Sequence, residues 1–183
     1  MIQVKDVVKS FDGNVVLNHV SATFEDGKVN MIIGQSGSGK TVLMKSMIGL
    51  HQVDEGQIIF DTSGGKQQDL ASMTEKEVRL LHREVGMLFQ GSALFDSMTV
   101  QENVMYPLEM FSDMSKSEIV ARARFCLERV NMPERSFGLM PSEISGGMQK
   151  RVAIARAIAL NPRYLFCDEP NSGLDPRTSL VID

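Results

Sequence analysis

Residues 34–41 read Gly34-Gln35-Ser36-Gly37-Ser38-Gly39-Lys40-Thr41 and follow directly on the apolar run Val29-Asn30-Met31-Ile32-Ile33. A glycine, four residues, Gly-Lys and then Ser or Thr is typical of a phosphate-binding loop between a strand and a helix. The glycines let backbone N–H groups approach triphosphate oxygens, and the following helix directs its positive end at them. Lys40 would contact the β- and γ-phosphates, and the Thr41 hydroxyl would bind magnesium. The sequence therefore predicts a nucleotide site.

Two further segments carry residues that could complete such a site. The apolar run from Tyr164 to Cys167 leads into Asp168 and Glu169. A strand there would place Asp168 to bind magnesium, mostly through water, and Glu169 to polarise an attacking water as general base. The segment 145–147, Ser-Gly-Gly, opens a predicted helix and forms a second anion site. Taken alone, a strand that ends in Asp-Glu is usually an ordinary strand end, and Ser-Gly-Gly is commonly an ordinary serine N-cap. The phosphate loop earlier in the chain, and the position of Ser-Gly-Gly between that loop and the acidic strand, favour the functional interpretation.

Apolar runs alternate with helical patterns along the chain, and this order predicts a mainly parallel α/β sheet. Capping-box spacings at Thr74 and Ser115 mark the starts of two helices, the second ending near Asn131. The stretch 62–69 is predicted to be a polar loop, and residues from about 95 to 146 a helical insertion. Strands are predicted at 2–8, 15–17, 20–24, 29–33, 56–60, 85–89 and 164–167. The helix that begins after Thr74 is predicted at 75–83, and further helices are predicted at 41–50 and 145–160.

The composition is that of a globular protein, with 43% hydrophobic and 23% charged residues among 183. A net charge of −4 and a pI of about 5.4 argue against capture of nucleic acid, which needs a basic face. Cys126 and Cys167 show no paired spacing, so we predict no disulfide framework or zinc site, and free thiols fit the cytosol. No segment reaches the roughly 18 apolar residues that span a bilayer, so a membrane role would require a partner. The three histidines have no metal-type spacing and are interpreted as structural or solvated.

The order of the motifs resembles that of ABC-transporter ATPases. Gly34–Thr41 is similar to the Walker A motif of that family, and Tyr164–Glu169 is similar to Walker B. Between them, Ser145–Gln149 is similar to the signature motif, usually Leu-Ser-Gly-Gly-Gln, although Met148 replaces the usual glutamine. The resemblance covers essentially the whole chain.

Three more positions extend the resemblance. Gln90 stands at the Q-loop glutamine, Ser172–Asp175 matches the D-loop, and Phe11 is placed like the aromatic residue that stacks on adenine. Two positions depart from the pattern, because Val42 replaces a frequent hydroxyl residue and Asn171 replaces a threonine or aromatic residue. We expect neither departure to abolish ATP binding.

The resemblance implies the fold class of a P-loop NTPase: an α/β protein with a mainly parallel sheet core, an N-terminal antiparallel β region, a helical subdomain insertion and its C-terminal part missing. One ABC ATPase domain would cover 1–183, with 1–94 and 147–183 in the core and 95–146 in the helical subdomain. Members of the family continue past Asp183 with a strand that carries a switch histidine. We therefore expect this chain to be truncated, to bind ATP weakly and to hydrolyse it poorly.

The resemblance also implies ATP and Mg²⁺ as cofactors and assigns roles to single residues. Glu169, Gln90 and Lys40 would be catalytic, and Thr41, Gln90 and Asp168 would bind the metal. The nucleotide would contact Phe11, Gly34, Gln35, Ser36, Gly37, Ser38, Gly39, Lys40, Thr41, Ser145, Gly146 and Gly147.

The partners implied by the family are a second ATPase subunit and a membrane permease. Two copies would face each other head to tail, so that each ATP lies between the phosphate loop of one copy and the Ser-Gly-Gly helix start of the other. Closure of this dimer would drive a polytopic permease. The permease would supply the only membrane contact and hold the protein at the cytoplasmic face of the inner (plasma) membrane, and no nucleic acid would be bound.

Several segments point to a subgroup. Residues 89–100, 103–108 and 139–143 are similar to the ATPases of bacterial phospholipid-trafficking systems of the maintenance-of-lipid-asymmetry type, which implies a lipid cargo. Ser92–Phe95 is an apolar stretch at the place where the family docks a helix of its membrane subunit. Packing inside the helical subdomain is the alternative interpretation of that stretch.

Other classes fit the spacing less well. ABC ATPases of DNA repair or chromosome structure carry long coiled coils between the two halves of the site, and translation types carry two cassettes. The Ser-Gly-Gly segment disfavours a simple kinase or GTPase. An ABC-type regulatory ATPase of a cell-division complex stays open, because sequence separates it poorly from a transporter.

Overall fold

The computed structural model describes residues 1–61 and 65–169. The described residues form two compact units, which divide between His82 and Arg83. The first unit consists of an antiparallel sheet and two helices, and the second of a parallel strand pair and a helical bundle. The sequence predicts other boundaries, with a helical subdomain over 95–146, and this subdivision stays a prediction.

An antiparallel sheet forms most of the first unit. Its strands are β1 (Ile2–Phe11), β2 (Asn14–Phe24), β3 (Glu55–Asp61) and β4 (Gln67–Asp69), in the order β2-β1-β3-β4. Alternate residues of β1 and β3 point into the core, where Val7 and Phe60 are fully buried. The N-terminal antiparallel β region predicted from the sequence is thereby confirmed.

Two details of this sheet differ from the prediction. β2 is one strand rather than two. His19 adopts a left-handed conformation (φ 52°) at a break in the β1–β2 register, but the pairing with β1 continues on both sides of this irregularity. Part of the predicted polar loop pairs with β3 as the short edge strand β4, with Ile59 opposite Asp69. Such an edge strand has little apolar alternation, so the sequence pattern does not reveal it.

The predicted strand at 29–33 is wrong for this structure. The segment forms no strand, and Val29, Met31 and Ile33 are 95%, 77% and 84% exposed. The Asn30 amide instead bonds to the backbone of Glu25 in both directions, at 3.0 and 3.1 Å. Such local bonds compete with a strand ladder, and none of the described strands of this unit pairs with the segment.

Helix α1 (Lys40–Met47) and helix α2 (Glu75–Arg83) lie where the sequence predicts helices. Thr74 and Glu77 form the predicted capping box: the Glu77 carboxylate accepts from the Thr74 N–H at 2.8 Å, and the Glu77 N–H donates to the Thr74 hydroxyl at 3.3 Å.

The second unit combines a parallel strand pair with a helical bundle. β5 (Val85–Leu88) pairs with β6 (Tyr164–Cys167) in parallel register, so that Leu88 lies opposite Cys167. Within the described residues, the predicted parallel sheet is represented by these two strands. Helices α3 (Val100–Phe111), α4 (Lys116–Arg129) and α5 (Gly146–Ala157) pack on one another around a core that includes Val104, Leu108, Ala123, Leu127 and Val152.

Gly86 permits close packing of α5 against β5. A Cβ atom at this position would lie 2.3 Å from the carbonyl oxygen of Ala157, the last residue of α5, and 3.0 Å from side-chain atoms of Leu165 and Pro162. Backbone cannot yield to such an overlap without displacement of the helix. A glycine here therefore fixes the distance between α5 and the strand that leads to Gln90.

Replacing Gly86 by alanine is expected to lower the free energy of unfolding by about 2–3 kcal/mol, because α5 must move away from β5. Chemical denaturation of the wild-type and variant proteins measures the difference. Gly138→Ala is the matched control, since no atom of the described residues lies within 4 Å of a Cβ built there. Equal stability of the two variants would contradict the close packing.

Candidate nucleotide-binding site

The phosphate loop lies in the first unit and ends at the start of α1. Gly39 is the N-cap of this helix with φ +90°, a left-handed conformation that favours glycine. A Cβ atom on Gly39 would also lie 3.0 Å from the Val16 carbonyl oxygen and 3.1 Å from the Leu17 side chain, both in β2. The glycine therefore lets the loop lie against the antiparallel sheet while the first N–H groups of α1 stay free of side-chain cover.

The Lys40 ammonium is held over this loop. Its Nζ atom donates to the carbonyl oxygens of Gly34 and Gln35, at 2.9 Å in both bonds. The Ser38 N–H donates to the Gln35 carbonyl at 3.2 Å and closes the turn. A positive charge thus lies at the concave side of a glycine-rich turn, which is the arrangement that binds phosphate oxygens.

Phe11 ends β1 in the same unit and has an accessible ring. Its ring is 38% exposed and makes an edge-to-face contact with His51, at 5.4 Å between centroids. The Lys9 ammonium lies 5.3 Å from the Phe11 centroid. His51 has a packing role, as interpreted from the sequence, and its place beside Phe11 could not be inferred from the spacing of the histidines.

Gln90 and Glu169 come together in the second unit. Each lies two residues beyond the end of its strand, β5 or β6, and the Gln90 amide nitrogen donates to the Glu169 carboxylate at 2.9 Å. The Asp168 N–H donates to the Leu88 carbonyl at 2.9 Å, so the strand pairing continues to Asp168. The carboxyl ends of neighbouring parallel strands therefore bring an amide and a carboxylate into contact, as expected at this edge of an α/β sheet.

Asp168 is only 6% exposed, whereas Glu169 is open to solvent. Lys150 of α5 is 3% exposed and donates to the Glu169 carbonyl oxygen at 3.1 Å. Burial lowers the pKa of Lys150, and the negative charge of Glu169 acts in the opposite direction. Sequence reasoning missed Lys150, since a lysine inside a predicted helix is ordinarily a solvated residue.

Ser145 forms the start of α5. Its hydroxyl accepts from the Met148 N–H at 3.3 Å, and Gly146 and Gly147 occupy the first two helical positions. Among the described residues, no atom lies within 4 Å of a Cβ built on Gly146, so the helix start is open at this residue. The twelve-residue helix directs its positive end toward this opening.

The chemistry of the predicted metal ligands fits magnesium. The hydroxyl of Thr41, the amide of Gln90 and the carboxylate of Asp168 all offer oxygen, which Mg²⁺ prefers. Within 1–61 and 65–169, no three His, Cys, Asp or Glu residues lie close enough to form a metal site by themselves.

Some of the predicted site residues fall outside the described residues, and the others lie in two different units. The D-loop residues Ser172–Asp175 and the departure at Asn171 fall outside the described residues. The structure describes Phe11 and the phosphate loop in the first unit, and Gln90, Ser145, Asp168 and Glu169 in the second. No helix in the described part of the chain is long and apolar enough to cross a membrane.

Comparison with known proteins agrees with this geometry. A family model described as ABC transporter matches residues 17–172. The methionine import ATP-binding protein MetN of Clostridium acetobutylicum is 42% identical over the whole of this chain and 55% of its own length. The probable ribonucleotide transport ATP-binding protein mkl of Mycobacterium tuberculosis is 38% identical over 96% of this chain and 47% of its own length. The chain thus spans about half the length of these curated relatives.

A solved structure shows the same fold. The dimeric post-hydrolysis state of the ATP-binding cassette MJ0796, bound to ADP and Pi, superposes with a TM-score of 0.90 and 32% sequence identity, over all of this chain and 79% of that chain. The P-loop NTPase fold predicted from the sequence is therefore confirmed. The family model spans most of the sequence, and the chain belongs to the ABC transporter family as its ATP-binding domain.

Proposed function

We propose that the protein binds and hydrolyses ATP and so powers a membrane ABC transporter. The contact between Gln90 and Glu169 carries this proposal. It unites the ends of two parallel strands that the sequence assigns to separate motifs 79 residues apart. An exposed carboxylate held by an amide at such an edge can polarise a water molecule that attacks a phosphate.

Each predicted site residue has a role in this reaction. Lys40 and the N–H groups at the start of α1 would bind the β- and γ-phosphates, and Phe11 would stack on the adenine. Thr41, Asp168 and Gln90 would hold Mg²⁺, which when bound neutralises charge on the phosphates. Glu169 would accept a proton from water as the water oxygen attacks the γ-phosphorus. The bond between that phosphorus and the β,γ-bridging oxygen would break, so that ADP leaves, and Gln90 would orient the carboxylate and the water.

The open start of α5 supports a two-copy site. A free helix start with small residues can approach phosphate oxygens of a second molecule closely. Ser145, Gly146 and Gly147 would contact the γ-phosphate bound to the other copy in a head-to-tail homodimer. The neighbouring cassette MJ0796 is a dimer in its ADP- and Pi-bound structure, which supports this assembly here.

A permease would dock beside the loop that follows Gln90. In this loop Leu94 packs against the helical core, whereas Phe95 is 41% exposed and contacts the Tyr106 ring in a tilted arrangement, at 4.8 Å between centroids. The stretch therefore combines the two roles considered from sequence, internal packing at Leu94 and an accessible aromatic ring at Phe95. Contact through the permease would hold the protein at the cytoplasmic face of the inner membrane.

We propose a phospholipid or other lipid as the cargo. The segments around Phe89–Val100 and Leu139–Glu143 support this assignment through their resemblance to lipid-trafficking ATPases. The relatives MetN and mkl are named for methionine import and ribonucleotide transport, at 42% and 38% identity. Two cargo names at similar identity indicate that the ATPase sequence constrains cargo weakly, so cargo needs a direct test.

Isolation of the tagged full-length protein from membranes tests the proposal. We expect a polytopic membrane protein to co-purify in stoichiometric amount, magnesium-dependent ATP hydrolysis by the complex, and phospholipid transfer between vesicles on addition of ATP. Methionine or nucleotide uptake by reconstituted vesicles, without lipid transfer, would contradict the cargo. Recovery of division proteins in place of a permease would favour the regulatory ATPase of a cell-division complex.

A further inference from the structure

A buried lysine contacts the main chain of the proposed general base. Lys150 is 3% exposed, and its ammonium donates to the carbonyl oxygen of Glu169 at 3.1 Å. Burial of an ammonium group is costly unless polar partners compensate it. A hydrophobic residue would fill the same space in α5 without the cost of removing a charge from water. A lysine at this position therefore points to a role for the polar contacts of its ammonium group.

Glu169 has an unusual backbone conformation at this contact. Its φ angle is +49°, in the left-handed region that is unfavourable for a residue other than glycine. The turn comes directly after Asp168, whose N–H makes the bond to Leu88 that extends the strand pairing. Such a conformation persists only where neighbouring groups hold it, and Lys150 bonds to the carbonyl of the strained residue itself.

The backbone conformation decides where the carboxylate points. With φ at +49°, the Glu169 side chain reaches the Gln90 amide at 2.9 Å. A change of this residue to the extended or right-handed region would rotate its Cα–Cβ bond and withdraw the carboxylate from Gln90. Catalytic groups lose efficiency when they are displaced by as little as 1 Å, by about a hundredfold.

We propose that Lys150 is a positioning residue for ATP hydrolysis: its ammonium holds the Glu169 main chain so that the carboxylate stays beside Gln90. The inference rests on the proposed role of Glu169 as general base. Lys150 lies five residues after Ser145 on the same helix. The contact therefore connects the helix start that meets the nucleotide of the second copy with the general base of its own copy.

A matched control separates positioning from general stabilisation. Arg122 of α4 is also a part-buried cation that donates to main-chain carbonyls, those of Ala159 at 2.9 Å and Ile158 at 3.1 Å. Within the described residues, its contacts are to these carbonyls and to the Phe125 ring, and not to Glu169 or Gln90. Arg122→Met thus removes the same type of interaction from the same unit without changing the catalytic pair.

The test measures steady-state ATP hydrolysis by the full-length protein. For Lys150→Met, kcat is expected to fall by about ten- to a hundredfold while KM for ATP changes by less than about threefold. Lys150→Arg, which keeps the donors, is expected to recover part of the rate. For Arg122→Met, kcat is expected to stay within about twofold of wild type although the melting temperature falls.

A double variant shows whether Lys150 acts through Glu169. Lys150→Met combined with Glu169→Gln is expected to hydrolyse ATP at the rate of Glu169→Gln alone, because the group that Lys150 positions is already lost. A wild-type kcat in Lys150→Met, an equal loss of kcat in Arg122→Met, or multiplied losses in the double variant would each overturn the proposal. If Lys150→Met does not fold, Lys150→Gln, whose shorter amide cannot reach the carbonyl, replaces it with the same expectations.

The proposed function fails in a different way. If wild-type protein does not hydrolyse ATP, or if Glu169→Gln is as active as wild type, the role of Glu169 as general base is contradicted before Lys150 is changed. With those two measurements as expected, the Lys150 variants test the positioning role alone.

Discussion

Glu169→Gln is expected to lower the rate of ATP hydrolysis by about 10²- to 10³-fold and to leave ATP affinity almost unchanged. A carboxylate that accepts a proton in the transition state contributes a factor of about 10²–10⁴, and glutamine cannot replace it. The change keeps the shape of the side chain. Its amide oxygen can still accept from the Gln90 nitrogen that now bonds to the carboxylate at 2.9 Å. Phosphate release measures the rate, and a fluorescent ATP analogue measures the affinity.

The same variant tests the two-copy site. ATP that is bound but not hydrolysed should hold two copies together, so the variant is expected to elute as a dimer with ATP and as a monomer without it. Glu128→Gln, an exposed carboxylate on α4, is the control and should hydrolyse ATP like wild type. A Glu169→Gln protein that stays monomeric at saturating ATP would contradict the head-to-tail arrangement, and an unchanged rate would contradict the general base.

Helices with clear chemical boundaries could be predicted from the sequence. Helix 75–83 and strand 164–167 have the predicted bounds, and the Ser115 capping box begins α4 as expected. The bounds of helix α3 within the predicted helical insertion 95–146 do not follow from our sequence analysis, although Thr99 and Glu102 form a capping box of the same type at its start. The Thr-x-x-Glu spacing is present in the sequence, and it overlaps the segment 89–100 that we interpret through its resemblance to lipid-trafficking ATPases.

Strand 29–33 shows where sequence patterns are insufficient. Its apolar run is typical of a strand buried on both faces, but a strand also needs a neighbour with which to pair. Pairing partners are distant in sequence, and the described residues of the first unit offer none to this segment. The amide of Asn30 then bonds to nearby backbone, which a pattern of apolar residues does not predict.

The candidate site, too, can be predicted from the sequence only in part. The contact between Gln90 and Glu169 follows from two predicted parallel strands, because their carboxyl ends share one edge of the sheet. The conformation of Glu169 and its bond to Lys150 do not follow from any motif. Lys150 precedes Glu169 by 19 residues, and only the packing of α5 against β5 brings the ammonium to that carbonyl. Motifs thus predict which residues react, and packing decides how they are held.

Lys40→Met is expected to weaken ATP binding by about ten- to a hundredfold. A charge-assisted hydrogen bond to phosphate contributes about 1.5–3 kcal/mol, and methionine keeps the length of the side chain without its donors. The ammonium already lies over the phosphate loop, 2.9 Å from the carbonyl oxygens of Gly34 and Gln35, so little reordering is needed on binding. Titration calorimetry of the full-length protein with Mg–ATP measures the affinity.

The control for this variant lies on the same helix. Lys45→Met removes a lysine from the last turn of α1, away from the phosphate loop, and should leave ATP affinity within about twofold of wild type. Without nucleotide, Lys40→Met should lose no more than about 1 kcal/mol of stability, because the two bonds that it removes are exposed to solvent. A normal ATP affinity in Lys40→Met would contradict the assignment of residues 34–41 as the phosphate loop. A large loss of stability without nucleotide would instead assign Lys40 a structural role in that loop.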